Sequence, residues 1–193
     1  MATYKSIAYS PLSEGGSRVL ISELTASSSS TVSFTGGLDS AYKEYIFTFN
    51  RISSSTDGGQ LSVNASTDAG SNYNVAKTTS FFAAQHNEAD DDTDLSYNTS
   101  KDIAQGTGAA IISYGTGNAA DEIVSGYMHL YNPSDTTFVK NFMVNANTKH
   151  QSDYSIQSLV AGYFNTTSAI DAIQFSFDSG NMDTGTFKLY GVK

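Results

Sequence analysis

The densest set of side chains able to do chemistry lies in the stretch QHNEADDDTD (85–94), which holds Glu88, Asp90, Asp91, Asp92 and Asp94. Calcium takes several oxygen ligands from one compact loop. The alternate spacing of Asp90, Asp92 and Asp94 can place three carboxylates on one side of the chain, which makes them calcium candidates. The stretch lacks the central glycine and distal glutamate of an EF-hand, and an acidic surface loop between strands is the competing reading. No metal is therefore assigned. The histidines, His86, His129 and His150, are far apart, and there is no cysteine to complete a zinc set. No G-x-S-x-G elbow occurs. The glycine-rich STDGG and SYGTGN lack the lysine and helix of a phosphate loop. The 19 acidic residues offer too many carboxylate pairs for any one to single out a glycosidase. The chain is read as non-enzymatic, with no catalytic residue and no cofactor.

Binding is a different matter. Tyr73, Tyr97, Tyr114 and Tyr131 fall at or near strand ends and loops, where ring faces can stack on a sugar. Strand tyrosines also serve cores and subunit interfaces, and tryptophan is absent. The ligand-binding residues stay unassigned between those readings.

The elements that must position these groups are strands. KEYIFTFNRI (43–52) sets Tyr45, Phe47 and Phe49 on one face, with Ile46 implying partial burial of the other. Similar runs occur at 18–24, 30–35, 59–66, 80–85, 109–114, 122–131, 137–146, 153–164, 169–177 and 185–192. Turn clusters such as STDGG, STDAGSN, NPSD and SGNMDTG separate several of them. The pattern predicts an all-β chain, a two-sheet antiparallel β-sandwich of jelly-roll type spanning 18–193. Ile173, Phe175 and Phe177, followed after SGNMDTG by Phe187 and Leu189, predict a terminal hairpin whose strands pair with each other. Residues 1–17 lack periodicity and carry Pro11 and a Gly-Gly-Ser; they read as an extended arm on a flexible hinge. Tyr4, Ile7 and Tyr9 are its candidate assembly contacts. With the last strand in the sheet, the N-terminal arm is expected to be the attachment point.

Net charge is −9 and the sequence pI is near 4.5. Nucleic acid and anionic lipid surfaces both require basic patches, so neither is an expected partner. No apolar run is long enough for a membrane-spanning helix, and MATYKSIAYS has no continuous apolar core of the signal-peptide kind. The absence of cysteine suits assembly in a reducing cytoplasm.

Five stretches carry a resemblance: YKEYIFTFNRI, TTSFFAAQHNEAD, DIAQGTG, NPSDTTFVKNF and AGYFNTTSAIDAIQFSFDSGNMDTGTFKLYGV. In this order they resemble a β-rich module of virion structural and tail-fibre-like proteins of marine tailed bacteriophages of the cyanophage type. The last block is the most specific, and the resemblance spans about 18–192. It implies a virion component assembled in the host cytoplasm, joined to other virion proteins. It also implies a homo-oligomer, with a trimer favoured. The expected role is a tail-appendage module, a fibre or knob, that meets a glycan or protein of the host surface. A capsid decoration or cement protein stabilising the head is the alternative, and a glycan-degrading enzyme comes third.

Overall fold

The computed structural model describes residues 17–193, so Tyr4, Ile7 and Tyr9 of the expected arm lie outside the described residues. The described chain is all-β. Its strands are β1 (Arg18–Ser29), β2 (Thr31–Phe34), β3 (Glu44–Ser54), β4 (Leu61–Ser66), β5 (Lys77–Asn87) and β6 (Thr93–Tyr97), then β7 (Ala110–Ile111), β8 (Val124–Tyr131), β9 (Lys140–His150), β10 (Tyr154–Phe164), β11 (Ala172–Phe177) and β12 (Met182–Val192). They form an eight-stranded sheet in the order β1-β12-β3-β8-β9-β10-β5-β6 and a four-stranded sheet in the order β2-β11-β4-β7. All pairings are antiparallel, so the expected two-sheet sandwich stands.

The core forms where the apolar parities of the two sheets meet. Phe47 and Phe49 of β3 and Phe187 of β12 face Phe34 of β2 and Phe175 of β11, all buried. Their rings meet edge-on or tilted, with Phe34 to Phe47 at 5.3 Å and Phe175 to Phe187 at 5.1 Å between centroids. Such offset geometries suit the aromatic quadrupole better than flat stacking.

The terminal hairpin is corrected. β11 pairs with β2 and β4 in the small sheet, whereas β12 pairs with β1 and β3 in the large one. The segment Asp178–Asn181 thus carries the chain from one sheet to the other. Phe175 and Phe187 touch across the core, not along a ladder. Alternation shows which residues face inward, but a facing pair of sheets and a hairpin share that alternation. The final strand is nonetheless fully integrated: Leu189 is buried between its two neighbours, and Lys193 donates from its backbone N–H to the Ser17 carbonyl at 3.0 Å.

One strand escaped the sequence reading. β6 follows the acidic turn directly and includes Asp94, which pairs with Gln85 of β5. The strand over 137–146 begins later than expected, at Lys140, leaving Phe138 exposed in the preceding loop.

Candidate functional site: the uncharged outer face of the large sheet

The acidic stretch does not converge. Asn87 ties the turn together by accepting from the backbone N–H groups of Asp91 and Asp92 at 3.1 and 3.0 Å. Asp90, at φ 58°, contacts His86 Nε2 at 3.0 Å. Asp91 accepts from the Asn87 amide at 2.6 Å, and Asp92 from the Tyr154 hydroxyl at 2.8 Å. That bond to Asp92 holds the Tyr154 pKa above its ordinary value. Asp94 lies within β6. Among the described residues, no group of three or more His, Asp or Glu side chains could hold a metal ion.

The histidines are equally dispersed in role. His129 Nδ1 bonds Glu44 Oε1, its ring stacks on Tyr131 at 6.1 Å, and Tyr127 meets it edge-on at 5.3 Å. His150 Nδ1 accepts from the backbone N–H of Ser152 at 3.1 Å, and burial lowers the pKa of this histidine. None of these imidazoles bonds a serine or threonine hydroxyl among the described hydrogen bonds.

What the structure assembles instead is a surface. Successive residues on a strand alternate faces, so the register of β8, β9, β10, β5 and β6 fixes which side chains share the outside of the large sheet. One row runs Tyr127, Asn145, Leu159, Phe82 and Tyr97 across the five strands. The row on one side runs His129, Met143, Ala161 and Ser80; on the other it runs Ser125, Asn147, Gln157, Ala84 and Leu95. None of these side chains is Asp, Glu, Lys or Arg. Phe82, Leu95, Tyr97, Tyr127, Met143 and Leu159 are between 42% and 74% exposed. Surface apolar residues scattered singly are ordinary, but a contiguous patch marks an interaction site.

The amides between the apolar flanks are held in place. Gln157 Nε2 donates to Asn145 Oδ1 at 3.1 Å, Asn145 Nδ2 to the Tyr127 hydroxyl at 3.4 Å, and Asn147 Nδ2 to Ser155 Oγ at 3.1 Å. Three adjoining depressions follow this face. One of about 300 Å³ lies among Tyr127, His129, Tyr131, Met143 and Leu159, and two of about 490 and 310 Å³ lie along Asn145, Asn147, Ser155 and His86. Charges sit at the rim, apart from the Glu44 carboxylate of β3 that bonds His129. Lys149 bridges Asp153 at 2.6 Å and Glu88 at 3.6 Å at one end, and Lys188 meets Glu23 at 3.2 Å toward the β1 edge. An uncharged centre with aromatic and Met side chains inside a polar rim is the anatomy of a protein interface.

The small sheet presents the opposite chemistry. Its outward residues include Ser33, Gln174, Ser62 and Asn64. They are engaged in hydrogen bonds, such as Gln174 Nε2 to Ser33 Oγ at 3.1 Å and Asn64 Nδ2 to the Thr107 carbonyl at 3.0 Å.

Of the tyrosines considered for sugar stacking, Tyr97 and Tyr131 reach the outer face of the large sheet. Tyr114 packs against the core, with its hydroxyl accepting from Asn98 at 2.6 Å, and the Tyr73 hydroxyl is buried with no hydrogen-bond partner among the described residues. Sequence reasoning missed Phe82, Leu95, Tyr127, Met143 and Leu159. A signal for three of them was present. Phe81-Phe82, Phe142-Met143-Val144 and Leu159-Val160 are consecutive apolar residues, which a strand with one wet face has no need of. No protein family, curated protein or solved structure matches this chain.

Proposed function

We propose that the chain is a non-enzymatic structural module of a bacteriophage particle, working through surfaces and not through a reactive centre. The tail appendage is its first location and the capsid exterior the alternative. The observation that carries this reading is the uncharged, apolar outer face of the large sheet on a chain of net charge −9. The sequence resemblance to virion modules points the same way.

Topology adds support. We read β1-β12-β3-β8 opposite β2-β11-β4-β7 as the strand order of an eight-stranded jelly roll, a wrapping found in viral capsid domains. The remaining strands, β5-β6 and β9-β10, are two hairpins inserted into that wrapping. Both extend the same sheet beyond β8, and with β8 they build the apolar face. The insertions thus enlarge the sheet face on which the proposed contact lies.

Density for the fold in a map of the assembled particle tests this reading. A few dozen copies or fewer at the tail support the appendage, and hundreds on the head move it to the decoration role. Absence from the particle, or release of reducing sugar from host polysaccharide by the purified chain, overturns the proposal. Inhibition of adsorption by purified protein distinguishes host contact from a purely internal tail role.

A further inference from the structure

The geometry points to a second copy of this chain as the occupant of the uncharged face, with two large sheets stacked outer side to outer side about a twofold axis. This inference deepens the particle reading by naming the partner of its contact surface. It rests on that reading for its setting.

Charge permits this partner only at a neutral face. Two copies of a chain with net charge −9 repel over most approaches. The outward positions of β8, β9, β10, β5 and β6 named above hold no Asp, Glu, Lys or Arg, and the Glu44 carboxylate beside them is taken up by His129, so this face lets the copies meet with little like charge in the contact. Size fits as well. Five strands spaced about 4.8 Å apart, each with several outward residues, cover roughly 650 Å² of sheet plane before side-chain relief. A standard interface takes roughly 800 Å² from each partner.

The pattern is self-complementary. Apolar groups lie on both sides of the β9 and β10 amides, Tyr127 on β8 and Phe82, Leu95 and Tyr97 on β5 and β6, with Met143 and Leu159 in line on β9 and β10 themselves. A twofold axis in the contact plane, running between β9 and β10, lays β8 of one copy over β5 of the other, so that Tyr127 meets Phe82. It also lays Asn147 of one copy over Gln157 of the other, where spare amide donors and acceptors can pair. Face-to-face packing of this kind closes at two copies. It therefore differs from the trimer that the sequence resemblance implies.

Sedimentation of the full-length chain over a wide concentration range tests the inference. The expected result is a concentration-dependent species of twice the 20.5 kDa chain mass. Leu159→Lys and Phe82→Lys each place a charge on the face, and each should raise the dissociation midpoint by about a hundredfold. Thr31→Lys, exposed on the small sheet, should leave it unchanged. Should a face variant fail to fold, Gln157→Cys carrying a spin label gives a second readout. Gln157 is exposed and the protein has no other cysteine. Stacked sheets lie about 10 Å apart, so labels near the axis should show a separation under about 25 Å. A monomer at all concentrations, a species of three chain masses, or association indifferent to both lysine variants overturns the pairing. So does a monomer that binds a neutral oligosaccharide through Tyr127 and Met143. A monomer still present in the particle sinks the pairing alone. A dimer absent from every particle sinks the particle reading alone.

Discussion

Single residues show where this fold tolerates electrostatic cost. Lys77 and Lys140 are fully buried on strands that flank Phe164 of β10. Among the described residues neither ammonium has a carboxylate within salt-bridge distance; Lys77 donates to the Gly108 carbonyl at 2.6 Å and Lys140 to the Thr166 carbonyl at 3.1 Å. Burial pushes the Lys77 pKa down to about 8 and lowers that of Lys140. The folded protein therefore binds fewer protons than the unfolded chain between about 8 and the ordinary lysine value of 10.5. Stability rises with pH across that window, and the cost of the buried charge is fully present below it. For Lys77 the gain is about 2 kcal/mol after discounting for solvent screening. Above pH 10 the tyrosines whose pKa burial or a carboxylate raises, Tyr45 and Tyr154 among them, oppose it. Lys77→Met should flatten the rise, leaving the smaller share from Lys140, and should be neutral to stabilising at pH 7. Urea unfolding at several pH values between 7 and 10 checks both expectations, and a variant with the parental slope contradicts the assignment. The carboxylates of 88–94 give a second prediction at this scale. Each of Asp90, Asp91 and Asp92 is bonded to a separate protein group, so millimolar calcium or a chelator should leave the melting temperature unchanged.

Among the elements, β12 decides whether the sandwich closes. It lies between β1 and β3 and sends Phe187 and Leu189 against the aromatic core, with Leu189 fully buried. Leu189→Ala should destabilise by about 2–5 kcal/mol, the range for deleting a buried leucine side chain. Leu189→Asp should prevent folding, because it buries a carboxylate with no partner. Thermal unfolding and soluble yield measure these effects, and a native-like melting curve from the Asp variant contradicts the packing. The sequence disclosed this burial through strict alternation, yet not the partner strands. Hairpin pairing of β11 with β12 is the shortest connection, and only the competition of every strand for neighbours places them in different sheets. β6 stayed hidden for a related reason: its Leu95 and Tyr97 point to the outer face, so no inward apolar period marks the strand.

For the whole molecule, charge and shape act together. The outer face of the large sheet is free of acidic groups at the positions named above, while loops, the rim and strand residues such as Glu44 and Asp94 carry them. If two copies pair there, their net charges oppose association at long range while the contact itself is neutral. Raising salt from about 50 to 500 mM shortens the screening length severalfold and should tighten the dimer. An interface built on ion pairs weakens under the same change, so sedimentation at the two salt concentrations separates them.

The amino-acid sequence by itself determined the all-β class, most strands and their inward residues. Those depend on local two-residue periodicity and on turn residues, which a linear pattern records. It also set the acidic balance of the chain. Tertiary structure alone decided that β11 and β12 belong to different sheets, that the acidic side chains disperse, and that Tyr127, Asn145, Leu159, Phe82 and Tyr97 form one row. A row across five strands joins residues far apart in the chain. Its existence depends on register and strand order, which long-range packing selects and no local pattern encodes.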